Sequence, residues 1–350
     1  MKGRWCCILP PVFVIFPVKL ILHCNHCYTV MIRGTLLLLF AVVCVLQSCK
    51  RDELEFGQVW QHTSHTTARL NNIRFLDDSI CVIGGGSTFY GSVMLRSADG
   101  GYSWSADSSA AAPKELYGMG VSADGTVYLS GIDGCVLHSK DKGKTWKFNR
   151  IGNWLESKGG CFFSADTGIF VSSVLQRQST ITRVDSTFRI IDEQTFLFGL
   201  NNVYMINTNT GYAIGYGVIM KTTDRGNTWA YLDVDGDNFT AMAQYGGTIW
   251  VCGSSGSIFR SADGGANWAR LRNGNNISLP RYILRCILFT DVQHGWAAGD
   301  DGTVIYTRDG GENWVPYKPF TTKTIRSIAQ SPNGNLVLAG DAGTIYRIVL

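Results

Sequence analysis

The chain has 350 residues, with 40 Gly, 8 Pro and 10 Trp, and only 17% of it is charged. It is too aromatic and too weakly charged for intrinsic disorder, and glycine at about 11% is too costly in helix interiors for a long-helix fold. The net charge of +4 lies in the first 48 residues, which hold Lys2, Arg4, Lys19 and Arg33 and no Asp or Glu; the remainder balances 27 basic against 27 acidic residues, without the basic excess of a nucleic-acid-binding domain.

Residues 1–30 are apolar, are interrupted by Pro10, Pro11 and Pro17, and precede a second start at Met31. They read as a mis-called upstream extension, with translation beginning at Met31. His23-Cys24-Asn25-His26-Cys27 has metal-ligand residue types, but one CxxC without a second pair is no zinc signature, and no metal site is expected.

From Met31 the sequence reads as a signal peptide over 31–48. Arg33 is its basic end, and Thr35–Val45 is an apolar stretch too short to span a bilayer. Leu46-Gln47-Ser48-Cys49 resembles the bacterial lipoprotein lipobox, in which the thiol after the cut accepts a lipid; Gln47 departs from the small residue common there. The resemblance implies lipidation at Cys49 and a protein held in the bacterial cell envelope, at a membrane, by its lipid anchor. Residues 49–55 form a charged tether. The later cysteines, Cys81, Cys135, Cys161, Cys252 and Cys286, sit in apolar strand-like runs, are odd in number, and read as buried free thiols.

After a strand-like segment, Gly57–His62, one motif recurs down the chain. Its copies are Ser97–Trp104, Ser139–Trp146, Thr222–Trp229, Ser261–Trp268 and Thr307–Trp314, all of the form [ST]-x-D-x-G-x-x-W. The Asp and the hydroxyl can bind turn N–H groups, the Gly admits positive φ, and the Trp supplies a large apolar surface. The carboxylates of Asp99, Asp141, Asp224, Asp263 and Asp309 are therefore read as structural corners, with Trp104, Trp146, Trp229, Trp268 and Trp314 as packing residues. The gap from Asp141 to Asp224 spans two repeats, and Thr182–Phe188 stands in the missing place as a degraded copy. Residues 335–346 repeat the pattern of 295–306, which gives a seventh unit lacking its last strand. Gly57–His62 supplies that strand, with Trp60 in the motif's Trp role. The expected fold is all-β: a seven-bladed β-propeller over 56–350, latched shut by its N-terminal strand, which removes an exposed edge.

The motif is that of the Asp-box, or BNR repeat. The run Ile287–Gly311, with Phe289, Asp291, Gly295-Trp296-Ala297-Ala298-Gly299 and Asp309-Gly310-Gly311, resembles the repeats of the photosystem II assembly and stability factor family. That resemblance implies a non-enzymatic chaperone binding a newly made membrane-protein segment, with an arginine patch near one channel mouth. Similar repeats occur in bacterial lipoproteins unconnected with photosynthesis.

Aligning the seven units places one residue per inner strand at a channel mouth: Asn71, Tyr117, Gly159, Asn201, Thr240, Arg285 and Arg326. Arg285 and Arg326 match the family's arginines in kind. Two long connections on that face add Phe89 and Tyr90, and Arg281 and Tyr282. Arginines and aromatics on a rigid scaffold suit protein recognition, so the expected function is non-enzymatic binding of a protein or glycan partner by a monomer. The alternative is a glycoside hydrolase of sialidase-like or glucan-cleaving type, for which Asp133, Asp300 and Asp341 recur near the mouth. The early Phe-Arg-Ile-Pro motif of sialidases is absent. No Gly-rich phosphate loop with Lys and no GxSxG occurs, so no cofactor and no catalytic residue are assigned.

Overall fold

The second strand of each repeat explains why the sheets stack side by side. Val127–Gly131, Gly211–Gly215, Gly295–Gly299 and Leu336–Gly340 are buried at every position, the pattern of a strand covered on both faces. Outer strands such as Lys147–Arg150 are exposed or half-buried. The computed structural model describes residues 53–106, 112–174, 177–234, 236–276 and 280–350. The upstream extension, the signal segment and Cys49 lie outside the described residues.

Among these residues, 28 strands form seven four-stranded antiparallel sheets. The inner strands of blades 1 to 7 are Arg69–Phe75, Leu116–Val121, Ser157–Phe162, Leu200–Met205, Phe239–Tyr245, Leu284–Phe289 and Ile325–Gln330. Gln58–His62 pairs with Ile345–Val349 as the outer strand of blade 7, so the N-terminal strand latches the last blade as expected. The core is divided into seven clusters, each shared by two neighbouring blades. One joins Ile73 and Leu95 of blade 1 to Val337 and Ile345 of blade 7, so the ring is closed. No described helix is long and apolar enough to cross a membrane.

The five complete boxes share one geometry. At Asp141, Oδ1 accepts from Ser139 Oγ (2.8 Å), Lys144 N (3.1 Å) and Thr145 N (2.9 Å), and Oδ2 accepts from Thr145 Oγ1 (2.6 Å). Ser103, Thr228, Asn267 and Asn313 play the part of Thr145 in the other boxes. Four donors on one carboxylate favour its ionised form. Hydrogen bonding from Thr145 holds Asp141 down at about 2, and at Asp99 the bonds from Ser103 and Ser97 outweigh burial to give about 2. Trp104 and Trp146 are buried between blades.

Two expectations about packing are corrected. Trp60 lies beside Arg347 in the closing ladder but is 56% exposed. Phe56 does the packing instead, stacked on Tyr317 with centroids 3.8 Å apart and joined to the core between blades 6 and 7. In the ladder Trp60 faces Arg347 as Val315 faces Tyr306, so Trp60 is one residue past the motif's Trp position, and a one-residue shift turns a side chain to the other face. The second concerns Asp133. The turns after the second strands of blades 2, 6 and 7 align Asp133 with Asp301 and Ala342, all at positive φ (60°, 54° and 57°). Ile132, not Asp133, is the counterpart of Asp300 and Asp341.

The five cysteines are free, and all but Cys161 are buried. Burial pushes the thiols of Cys135 and Cys252 up to about 12, which keeps them protonated and unreactive.

Candidate site at the channel mouth

Every inner strand breaks register once, at the same place. The pairs on either side of the break are Leu70↔Gly85 and Asn72↔Gly84 in blade 1, and Leu284↔Gly299 and Cys286↔Ala298 in blade 6. Equivalent breaks occur in the other five blades. The skipped residue is a β-bulge, a device that re-aims a side chain. The bulged residues are Asn71, Tyr117, Lys158, Asn201, Thr240, Arg285 and Arg326, and all seven line one cavity of about 410 Å³ at the mouth.

Six of these are the residues expected from the sequence. In blade 3 the structure puts Lys158 in the ring in place of Gly159, because Ser157 pairs with Ser172 and Gly159 with Val171. The spacing Phe162 to Gly168, equal to Phe289 to Gly295, carries the signal that fixes this frame. Alternation past the bulge adds Asn72, Arg74, Asn202 and Tyr204 to the wall. Arg74 has no ion pair among the described residues. Phe89 and Tyr90 are 71% and 93% exposed in a hairpin at the same end of the blades, and Arg281 is exposed and Tyr282 half-buried on a connection there. None of these four lines the cavity.

The bulged side chains fall into three kinds. Asn71 Nδ2 donates to Leu116 O (2.8 Å), Asn201 Nδ2 to Phe239 O (2.7 Å) and Thr240 Oγ1 to Leu284 O (2.9 Å). Each acceptor is the residue just before the next blade's bulge, so these three stitch neighbouring blades together. Arg285 and Arg326 instead clamp Asp300 and Asp341, fifteen residues on in their own blades. Arg285 reaches Asp300 with Nε at 2.5 Å and Nη2 at 2.8 Å, and Arg326 contacts Asp341 through Nε and, at 3.4 Å, Nη2. The Asp300 hydrogen bond raises the pKa of Arg285. Burial would raise Asp300, but Arg285 outweighs it and holds the carboxyl below its ordinary range. Lastly, Lys158 sits 4.5 Å over the Tyr117 ring and pairs with Glu156 at 2.7 Å. Burial first, then the nearby charges of Glu115 and Glu156, raise the Tyr117 pKa, so its hydroxyl stays a donor.

The mouth therefore offers oriented guanidinium and amide groups, an aromatic ring and a partly neutralised set of charges. It suits recognition of a polar or acidic chain segment. The two recurring aspartates, Asp300 and Asp341, are matched with cations as above, and Asp133 pairs with Lys114 at 2.6 Å. Among the described residues no group of His, Cys, Asp and Glu could hold a metal ion.

The fold has close counterparts among solved structures. The chain superposes on YCF48 bound to D1 peptide with a TM-score of 0.65 and 16% identity, over 86% of this chain and 100% of that one. YCF48 from Cyanidioschyzon merolae gives a TM-score of 0.62 at 15% identity, over 83% of this chain and 98% of that one. The WD40 propeller domain of Doa1 gives 0.60 at 12%, over 83% and 97%. No family profile and no curated protein sequence matches the chain. These likenesses bear on the fold, a seven-bladed propeller of the YCF48 kind.

Proposed function

We propose that the protein is a non-enzymatic, lipid-anchored propeller of the bacterial cell envelope that binds a segment of a protein partner at its channel mouth. The observation that carries this reading is the ring of seven bulges. One backbone geometry is repeated in every blade, yet it presents Asn, Tyr, Lys, Asn, Thr, Arg and Arg. A scaffold needs the geometry; the differences in side chain suit selection of a ligand. The likeness to a YCF48 structure solved with a D1 peptide supports an assembly-factor type of role at the level of fold. The lipobox-like Leu46–Cys49 supports the anchor, with Cys49 as the lipidated residue. A glycosidase acid needs a carboxyl whose pKa is raised, whereas Asp300 is lowered by its guanidinium clamp.

The test replaces both clamps as units: Arg285→Gln with Asp300→Asn, and Arg326→Gln with Asp341→Asn. Removing both partners leaves no orphaned charge, so folding is retained while capture of the partner from solubilised membranes is lost. Unchanged capture would contradict the site. Turnover of a glycoside panel by the native protein, lost on Asp300→Asn alone, would move the reading to the enzyme class.

A further inference from the structure

In five of the seven seams between blades, the box of one blade folds over the blade before it. A Cβ added to the box glycine would come within 4 Å of Val337 at Gly101, Val82 at Gly143, Ile169 at Gly226, Tyr212 at Gly265 and Trp250 at Gly311. These five covered residues share one register position on the second strands. The same position in blade 2 is Tyr128, and blade 3 should cover it. Blade 3 instead folds the degraded copy into a hairpin, with Val184 paired to Ile190 and Asp185 N bonded to Arg189 O at 2.9 Å. Only Phe188 reaches back, where other blades place a Trp.

The result is a cavity of about 470 Å³ floored by buried Tyr128, Phe162 and Phe188 and half-buried His138, with the hydroxyls of Ser122, Ser164 and Ser186 on its sides. The rings are ordered: Tyr128 and Phe162 have centroids 5.1 Å apart, and His138 and Phe188 5.8 Å. The molecule shows how such a seat is filled. Blade 7 also lacks a box, and there Phe56, from outside the blade hairpins, stacks on Tyr317 beside Trp296. Two cations and one carboxylate stand at the rim over Tyr128. Lys140 lines it, and Lys147 pairs across the ladder with His138. The rim carboxylate, Asp124, accepts from Ser122 Oγ, Thr126 N and Thr126 Oγ1, which keep it ionised, so Lys140 and Lys147 together leave the rim one positive charge in excess.

We propose that this seat receives an aromatic side chain of a partner protein, carried next to a carboxylate. The indole-filled seams give the shape and the basic rim gives the charge. The seat lies at the end of the blades opposite the bulges, so it and the mouth can fail separately.

The probe is N-acetyl-L-tryptophan, which joins an indole to a carboxylate, titrated into the mature protein and read by saturation-transfer NMR. Saturable binding is expected, about fivefold weaker for the neutral amide, as for a partly exposed charge contact. Phe188→Trp should abolish it by filling the seat from within. Ala165→Trp, on an exposed turn at the rim, should abolish it from outside without disturbing the core. Lys140→Ala should erase the difference between acid and amide. No saturable binding to the native protein, or unchanged affinity in both tryptophan variants, overturns the seat. Tighter binding of tryptamine than of the acid overturns the carboxylate. A concentration-dependent dimer lost in the same variants would put a second copy there and overturn the separate partner.

Discussion

The two ends of the blades are built on opposite plans. At the box end, both geometry and residues repeat: five carboxylates bind the same kinds of donor, and five tryptophans fill the seams. At the mouth the geometry repeats as a bulge in every inner strand, but five residue types share the seven positions. Where residues recur with the geometry they build the scaffold. Where they vary on a fixed geometry, those that make no stitch, Tyr117, Lys158, Arg285 and Arg326, are free to specify a ligand.

Substitutions at the boxes and at these four mouth residues should therefore separate stability from binding. The largest effect is expected at Trp104, which joins blades 1 and 7. Trp104→Ala should cost about 3–5 kcal/mol by loss of buried area and a residual cavity, measured as a lowered urea midpoint. A box acid comes next: Asp141→Ala strands several donors and should cost about 1–2 kcal/mol. The boxes also set an acid response. Their carboxyls are depressed in the folded protein, to about 2 at Asp99, Asp141 and Asp263. The stability they contribute is full above the ordinary carboxyl range near pH 4 and is lost as pH falls toward 2. Thermal melts that show no decline over that window would contradict the sign. A smaller change is expected at the stitches: Asn201→Ala removes the bond to Phe239 O and should lower stability by about 1 kcal/mol in the same denaturation assay.

Much of this was legible in the sequence, because repeats report on one another. Five boxes at regular spacing give the blade count, and the match of 335–346 to 295–306 gives the unfinished seventh unit. Six mouth residues follow from alignment alone. In blade 3, Gly159-Gly160-Cys161-Phe162-Phe163 offers two apolar frames, and alignment by residue type puts Gly159 rather than Lys158 in the ring. Trp60 matches the motif by residue type but lies one position out of phase, leaving the packing to Phe56. The guanidinium clamps were hidden for a different reason. Arg285 and Asp300 meet because the bulge turns Arg285 toward the end of the paired strand, where Asp300 follows Gly299, and a bulge has no side-chain signature of its own. The open seat over Tyr128 was present as a missing box, but a gap in a motif does not say whether the chain closes over it.

The most direct test of the division between scaffold and ligand site is photo-cross-linking from two positions in one protein. A photoreactive residue replaces either Lys158, in the bulge ring, or Tyr231, exposed on the outer strand of blade 4. In native membranes one discrete partner is expected to be trapped from position 158 and none from 231. Trapping from 231 with none from 158 would place recognition away from the mouth and contradict that division.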